Sequence, residues 1–265
     1  MRGGIRMLDQ VKSNRWSAWA LTAALIAPWP AGCGSVSEKP PPVPPDALPA
    51  GTVLGQAVIT GHVTYEGTAP APEPINMASD SHCLGERTGQ ALREDLVVAP
   101  DGSLRNVYVH IVSGIDRIFA PPAEPVRLEQ KGCIYRPHVL GLRVGQPLLI
   151  LDEDPTLHNV HSVSRSNEPF NFGMSVKGQK SIRYFHFPEV MIKLKCDVHP
   201  WMSCYVGVST NPFFEVTGEG GRFEIENLPP GDYVVEAWHE TLGTQRREVN
   251  VRDNERVEVT IDFPG

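Results

Sequence analysis

Apolar and polar side chains alternate along this chain from about residue 55 to its end. Alternation with period two places successive side chains on opposite faces of a β-strand. Gly, Pro, Asp and Asn separate the alternating runs at the short, regular spacing that is typical of an all-β sandwich. A short helix or a turn is predicted within Met77–Leu92, where small and polar residues mix without a clear period. The alternating runs predict strands at Ala57–Tyr65, Asn106–Val112, Val139–Val144, Leu148–Leu151, Val190–Lys195, Tyr205–Val208, Arg222–Ile225, Tyr233–Trp238 and Val257–Phe263.

The first residues follow a different pattern, which is that of an export signal. Residues 1–15 carry four Lys/Arg and one acidic side chain, and residues 16–30 are almost wholly apolar. The apolar run of about 15 residues is shorter than the roughly 20 that a membrane-spanning helix needs. The Ala-Gly-Cys ending resembles a bacterial lipobox, although Pro30 stands where such a motif usually has Leu. We therefore expect residues 1–33 to be a lipoprotein-type signal peptide with lipidation at Cys33; secretion without a lipid and an uncleaved anchor are the alternatives.

Residues 34–54 are predicted to be a Pro-rich linker. Six prolines and few apolar residues within 34–50 predict an extended, semi-rigid tether that buries no core. Without residues 1–32 the chain has 20 Lys/Arg and 30 Asp/Glu, which is a formal net charge of −10. No basic run is present, so nucleic acid is not expected as a partner. The acidic balance suits either attraction of a basic redox partner or solubility alone.

Two short segments carry residue types that bind transition metals. The stretch Lys195–Met202 contains Cys196, His199 and Met202, and His158 lies about forty positions earlier. Two imidazoles, one thiolate and a weak thioether are the ligand set of a blue-copper electron-transfer site. A structural zinc site could also use the two imidazoles and the thiolate, but it would leave the methionine without a role. The sequence therefore predicts one type 1 copper ion.

The residues that surround these ligands resemble the cupredoxin family. Tyr135-x-Pro137 leads into Leu142-x-Val144-Gly145 and then into a hydrophobic strand ahead of the first His. The Cys-x2-His-x2-Met spacing, with Pro after the second His, is most similar to the amicyanin branch of that family. The resemblance covers residues 126–210 and implies a cupredoxin-like Greek-key β-sandwich. It also implies that Asn159 ties the two ligand loops together by hydrogen bonds, although a plain turn residue is the alternative.

Residues 211–265 resemble a different module. Gly221–Ile225, followed by Asn227–Val235 and then Ala237-Trp238-His239, is similar to the carboxypeptidase regulatory-like, or transthyretin-like, β-sandwich. This family resemblance implies an accessory module without catalytic residues. Such a module usually opens with a strand like Gly61–Gly67. Residues 55–125 therefore either complete this C-terminal sandwich, with the copper domain inserted into it, or extend the copper domain.

Three further cysteines are expected in the folded part of the chain. Export favours a disulfide, and Cys83 with Cys133 is the preferred pair. Cys204 lies on an apolar strand and would then be a buried, inert thiol. The sequence by itself does not fix which cysteines are joined.

Several other polar residues near these motifs are given ordinary roles. His161 lies an odd number of positions after His158, so on a strand it points to the opposite face and is not counted as a ligand. The acidic run Asp152–Asp154 is interpreted as a solvated turn. Trp201, close to His199, either packs over the site or forms an apolar docking patch. Structural or surface roles are expected for His138, His186 and His239.

The motifs favour a carrier over an enzyme. No nucleophile elbow and no phosphate-cradling Gly loop occurs in the sequence, and a Cys and a His on one tight loop do not suggest nucleophilic catalysis. We expect an exported, periplasmic or cell-envelope one-electron carrier that exchanges electrons with a redox protein such as a cytochrome or a dehydrogenase. The alternatives are a copper delivery or storage protein and a structural surface module in which the metal stabilises a domain.

Overall fold

The computed structural model describes residues 39–85 and 90–265, and within them the protein is all β. The predicted signal peptide and Cys33 lie outside the described residues. No helix among the described residues is long and apolar enough to cross a membrane. The elements are β1 (Ala57–Tyr65), α1 (Ser81–Gly85), β2 (Tyr108–Ser113), β3 (Val126–Gln130), β4 (Tyr135–Arg136), β5 (Val139–Arg143), β6 (Leu148–Asp152), β7 (His158–Val163), β8 (Asn171–Met174), β9 (Lys180–Arg183), β10 (Glu189–Lys195), β11 (Ser203–Ser209), β12 (Phe214–Val216), β13 (Arg222–Leu228), β14 (Gly231–His239), β15 (Gly243–Val251) and β16 (Arg256–Phe263).

Strands from before and after residues 126–209 form one sandwich, called here the terminal sandwich (strands within residues 57–65, 108–113 and 214–263). One of its sheets has the order β13-β1-β16 and the other has the order β12-β2-β14-β15. β1 pairs antiparallel with β13 and parallel with β16. Val63 of β1 and Ile225 of β13 are therefore in the same sheet, and both are buried in the same apolar core. Their placement is the one that the insertion layout of the sequence analysis requires.

The residues between these two segments form a second sandwich, called here the inserted sandwich (residues 126–209). Its sheets have the orders β5-β11-β10-β7-β8 and β4-β3-β6-β9. Alternate side chains of each sheet point inward, so Leu128 and Ile150 of one sheet share a core with Leu194 and Val206 of the other. The all-β prediction is confirmed.

The two sandwiches pack against each other through aromatic side chains. The Tyr108 ring of the terminal sandwich lies on Gly141 and Gly207 of the inserted one, so closely that an added Cβ at either glycine would come within 2.9 Å of it. Trp238 and Tyr205 form a second contact, with ring centroids 5.1 Å apart. Removal of both Cβ atoms is what lets a large buried ring lie between the sheets.

The described part of the predicted linker contacts the body of the protein. The Leu48 N–H donates to the Ile118 carbonyl at 2.8 Å, and the Ala120 N–H donates to the Leu48 carbonyl at 2.7 Å. The Arg143 guanidinium donates to the Ala50 carbonyl at 3.2 Å. The prediction was an extended, semi-rigid tether that buries no core; in the structure, the Leu48 side chain is partly buried against the core of the terminal sandwich.

The sequence pattern missed mainly strands with little apolar alternation. β15 reads GTQRREVNV and lies at the edge of its sheet, where the outward face is solvated. β8 and β9 have four residues each and are also edge strands. Such strands are specified by the backbone of a neighbour more than by their own side chains. In the mixed segment Met77–Leu92, the structure places the five-residue helix α1.

Candidate metal centre

The proposed ligands come from two neighbouring strands of the inserted sandwich. His158 is the first residue of β7, and Cys196 follows the last residue of β10. β7 pairs with β10, with His161 opposite Lys195, so the start of β7 lies beside the loop that leaves β10. That loop is closed by backbone hydrogen bonds from the Cys196 N–H to the Met202 carbonyl and from the Met202 N–H to the His199 carbonyl, at 3.1 and 2.9 Å.

The side chains of His158, Cys196 and His199 converge in the interior. The Nδ1 atoms of the two imidazoles are 3.0 Å apart, and the Cys196 Sγ is 3.8 Å from the His199 Nδ1. One ligand atom from each residue lies within 4.8 Å of the other two. All three residues are buried, with at most 2% of their surface exposed.

Each imidazole is oriented by a carboxylate on its far side. The His158 Nε2 lies 3.0 Å from the Asp154 Oδ2, and the His199 Nε2 lies 3.1 Å from the Asp80 Oδ2. An ionised carboxylate only accepts hydrogen bonds, so both Nε2 atoms carry the proton. In neutral rings both Nδ1 atoms then present lone pairs to each other at 3.0 Å, which is repulsive. A cation between them removes the repulsion, and the donor set fits a metal ion there.

The electrostatics of the metal-free site support this interpretation. Burial by itself lowers the pKa of His158, but hydrogen bonds with Asp154 and Cys196 outweigh it and raise the pKa to about 9. A proton can therefore occupy the space between the rings when no metal is bound. Burial raises the pKa of Asp154, and the hydrogen bond with His158 together with two backbone N–H groups brings the net pKa below its ordinary value.

The surroundings of the Cys196 sulfur stabilise a negative charge on it. It accepts hydrogen bonds from the backbone N–H groups of Asn159 and His199, at 3.5 and 3.4 Å. Burial raises the pKa of this thiol, but these donors and His158 outweigh burial and lower the pKa from its ordinary value. A thiolate is the form of cysteine that binds metals.

Asn159 connects the two ligand segments. Its Oδ1 accepts from the Asp197 N–H at 2.6 Å and from the Val198 N–H at 3.4 Å, while its Nδ2 donates to the Asp197 carboxylate at 3.1 Å. These bonds join the start of β7 to the loop after β10. Met202 is buried in the same core at the end of that loop, with 1% of its surface exposed.

A disulfide lies against this centre. The structure joins Cys83 to Cys133, and the Cys83 Sγ is 3.5 Å from the His199 Nε2. The Trp201 ring packs on the His199 ring with centroids 5.1 Å apart, and its Nε1–H donates to the Cys133 carbonyl at 2.9 Å. Trp201 is therefore half-buried over the site.

Within residues 39–85 and 90–265, two other groups of potential ligands have their ligand atoms within 4.8 Å of one another, but both include a disulfide sulfur. One contains Cys83, Cys133 and His199, and the other contains Cys133, Asp154 and His158. A sulfur in a disulfide is not a thiolate and is a poor metal ligand. Among the described residues, the group of His158, Cys196 and His199 is the one of these three whose sulfur is a free thiol.

The structure places the remaining candidates away from this centre. The His161 ring is on the opposite face of β7 and bonds the Asp197 carboxylate at 2.9 Å. His138 pairs with Glu240, and His186 is exposed. His239 is buried in the terminal sandwich, and burial lowers its pKa to about 4. Cys204 is a buried free thiol whose pKa is raised by burial.

The interpretation of Asp152–Asp154 as a solvated turn is wrong. Asp152 and Asp154 have 0% and 1% of their surface exposed. The spacing of Asp154, four residues before His158, was the available signal for its role. Asp80 gave no such signal, because 119 positions separate it from His199 and only the fold brings them together.

No family model matches this chain, and no curated protein matches it. Among solved structures, the chain is similar to the Cu-containing nitrite reductase from Thermus scotoductus SA-01, with 21% identity, a TM-score of 0.31, and coverage of 37% of this chain but 25% of the reductase. It is similar to a purple cupredoxin from Nitrosopumilus maritimus, with 22% identity, a TM-score of 0.28, and coverage of 31% and 98%. A reduced tryptophan-to-tyrosine variant of amicyanin gives 22% identity, a TM-score of 0.30, and coverage of 38% and 98%.

Proposed function

We propose that this protein is an exported type 1 copper protein that carries single electrons. One observation carries the proposal: two buried imidazoles face each other through their Nδ1 atoms at 3.0 Å, beside a buried thiol. Such an arrangement is costly unless a proton or a metal ion lies between the rings, since facing lone pairs repel and water is excluded. The donor set of two nitrogens and one sulfur is the one that copper proteins use for electron transfer.

The residues present fit copper. His158 and His199 would bind it through Nδ1, Cys196 through Sγ, and Met202 weakly through its thioether. When bound, copper supplies a one-electron redox couple. Asp154 and Asp80 hold the two rings in place, and the backbone N–H groups of Asn159 and His199 stabilise charge on the sulfur.

Burial and the fixed orientation of these ligands favour electron transfer over copper delivery. A site that gives up its metal to an acceptor needs ligands that the acceptor can reach. All four proposed ligands are buried, and one loop closed by backbone hydrogen bonds supplies three of them. A preformed site of this kind changes little between two oxidation states, which keeps electron exchange fast.

We further propose that the partner is a redox protein and that the chain works outside the cytoplasm. The export pattern of residues 1–33 and the disulfide support an oxidising compartment. The acidic charge of the remaining chain favours a partner with a basic surface.

The test loads purified residues 39–265 with Cu(II) and records visible absorption and electron paramagnetic resonance spectra. An intense thiolate-to-copper band with narrow hyperfine splitting is expected, at one copper per chain. The variant Cys196→Ala should lose the band, while Cys204→Ala, which removes the other free buried thiol, should keep it. A colourless or ordinary square-planar spectrum in the unaltered protein would overturn the proposal.

Electron exchange is tested separately, by mixing the reduced copper protein with an oxidised basic cytochrome in a stopped-flow instrument. Rapid oxidation that slows as ionic strength rises is expected from the acidic surface. Transfer of copper to an apo-acceptor at a rate above that of electron exchange would instead indicate a delivery protein.

A further inference from the structure

We propose that Asp80, Asp154 and the Cys83–Cys133 disulfide form one positioning unit that sets the separation of the two imidazole ligands. The inference rests on the proposed copper site and identifies how this chain holds that site. The unit contains residues from outside the inserted sandwich, since Asp80 and Cys83 lie in the segment between β1 and β2.

Residues 75–85, which include Asp80, pack on the inserted sandwich and are called here the cap. The Ile75 N–H donates to the Ala91 carbonyl at 2.8 Å, so residue 91 lies beside the start of the cap. Met77, Cys83 and Ala91 are buried in the core of the inserted sandwich. The cap is therefore part of that core, although β1 before it and β2 after it belong to the terminal sandwich.

The two carboxylate oxygens of Asp80 contact different groups. Its Oδ1 accepts from the backbone N–H groups of His82 and Cys83, at 2.8 and 3.1 Å, and so begins α1. Its Oδ2 faces the His199 Nε2 at 3.1 Å and the Thr156 hydroxyl at 3.4 Å. Because the first oxygen is fixed by the helix start, the second is fixed against the imidazole.

Asp154 has the same kind of arrangement on the other side. Its Oδ2 contacts the His158 Nε2 at 3.0 Å and accepts from the Cys133 N–H at 2.8 Å, and its Oδ1 accepts from the Gly132 N–H at 2.8 Å. Each half of the disulfide therefore donates its own backbone N–H to the carboxylate that orients one ligand.

The covalent bond joins these two chains of contacts. One runs from His199 through Asp80 to Cys83, and the other runs from His158 through Asp154 to Cys133. With the 2.06 Å S–S bond, they close a ring around the outer edges of both imidazoles. The Nδ1 atoms on the inner edges are thereby held at their 3.0 Å separation.

The first test measures ring positioning without copper. In the metal-free protein, labelled on imidazole nitrogen, two-dimensional nuclear magnetic resonance should show His199 with its proton on Nε2. The variant Asp80→Ala should lose that fixed tautomer, and Asp80→Asn should retain part of it, because an amide oxygen still accepts a hydrogen bond. Asp116→Asn, at an exposed carboxylate in the loop after β2, is the matched control and should leave the signal unchanged.

The second test measures the copper-loaded protein. Asp80→Ala should lower Cu(II) affinity by about tenfold, as the loss of a group that orients a metal ligand commonly does. It should also raise the reduction potential, since an imidazole without an anionic acceptor on Nε2 donates less charge to Cu(II). Asp80→Asn should fall between the unaltered protein and Asp80→Ala.

The third test asks whether the disulfide and Asp80 act together. Cys83→Ala/Cys133→Ala is combined with Asp80→Ala in a double-mutant cycle of Cu(II) affinity. If they form one unit, the loss in the combined variant is smaller than the product of the separate losses. If the variants without the disulfide do not fold, the ring signals and the reduction potentials of the Asp80 variants, which keep the disulfide, test the positioning unit.

These tests separate this inference from the proposed function. Unchanged ring signals and an unchanged potential in Asp80→Ala would overturn the positioning unit even if the unaltered protein is blue. Independent losses in the cycle would overturn the coupling through the disulfide. If the unaltered protein gives no blue band but Asp80→Ala loses the fixed His199 tautomer, the result supports the positioning unit and contradicts the electron-carrier function.

Discussion

The Nδ1 atoms of His158 and His199 lie 3.0 Å apart, although 41 positions separate the two residues along the chain. The contact forms because β7 pairs with β10, which brings the start of one strand to the loop that follows the other. Carboxylates on the outer edges of both rings leave only the Nδ1 lone pairs on the inner edges. The site therefore favours a cation at one position.

The first prediction concerns the thioether. Met202→Leu should still bind one copper per chain, because two imidazoles and the thiolate remain. Its reduction potential should rise, because the proposed weak thioether donor to copper is replaced by an apolar group. Protein-film voltammetry measures the shift, and Met174→Leu is the control, since Met174 is equally buried in this core. Loss of copper from Met202→Leu would contradict an axial role.

The second prediction concerns pH. The pKa of His158 is raised from 6.5 to about 9 in the folded metal-free protein. The protonated ring therefore contributes its full stabilisation below pH 6.5, and this contribution is lost as the pH rises through about 9. Metal binding must displace the same proton, so apparent copper affinity should increase by about tenfold per pH unit for each proton displaced.

Competition with a chelator of known pH dependence measures this slope across the same interval. Calorimetry in buffers of different ionisation enthalpy counts the released protons independently. A copper affinity that does not change with pH would show that His158 is neutral in the metal-free protein.

The third prediction concerns Asn159. Asn159→Ala removes the acceptor of the Asp197 and Val198 N–H groups and unties the start of β7 from the ligand loop. We expect the free energy of unfolding of the metal-free protein to fall by about 1–3 kcal/mol, because two hydrogen bonds worth about 0.5–1.5 kcal/mol each are lost. Urea denaturation measures it.

A matched control for Asn159 is present on the surface of the terminal sandwich. Asn250→Ala removes an exposed hydrogen bond to Asp232 and should change the free energy of unfolding by less than about 0.5 kcal/mol. Equal effects of the two substitutions would mean that Asn159 is an ordinary turn residue.

The fourth prediction concerns the terminal sandwich. Ile59 of β1 and Ile225 of β13 are register partners and are both buried. Either substitution to Ala should destabilise the protein by about 2–5 kcal/mol. The double variant should show a coupling energy of about 0.5–3 kcal/mol, because residues in contact do not act independently.

The control pair for this cycle joins the two sandwiches: Ile59→Ala with Ile192→Ala, whose side chains lie in different cores. Additive effects there and coupling between Ile59 and Ile225 would support one sandwich built from both ends of the chain. Additive effects in both cycles would contradict that layout.

Much of the fold could be predicted because its strands carry their own signal. The alternating run Ala57–Tyr65 is β1 in the structure, and the predicted run Val190–Lys195 lies within β10. Edge strands such as β15 could not be predicted, since their pairing depends on a neighbour's backbone and their outward side chains are polar. The candidate ligands were found because three of them share one loop and keep a short spacing.

The all-β class and the residue types of the candidate site follow from the order of amino acids alone, because alternation and short-range spacing are local properties of a chain. The carboxylates and the disulfide around that site become apparent from the tertiary structure. In the fold, Asp80 contacts His199 although 119 positions separate them, and Asp154 is buried beside His158. The Cys83–Cys133 disulfide lies next to both carboxylates. Apart from Asp154 and His158, which are four residues apart, the members of these pairs lie far apart in sequence. Long-range strand pairing brings such residues together, and no local pattern encodes it.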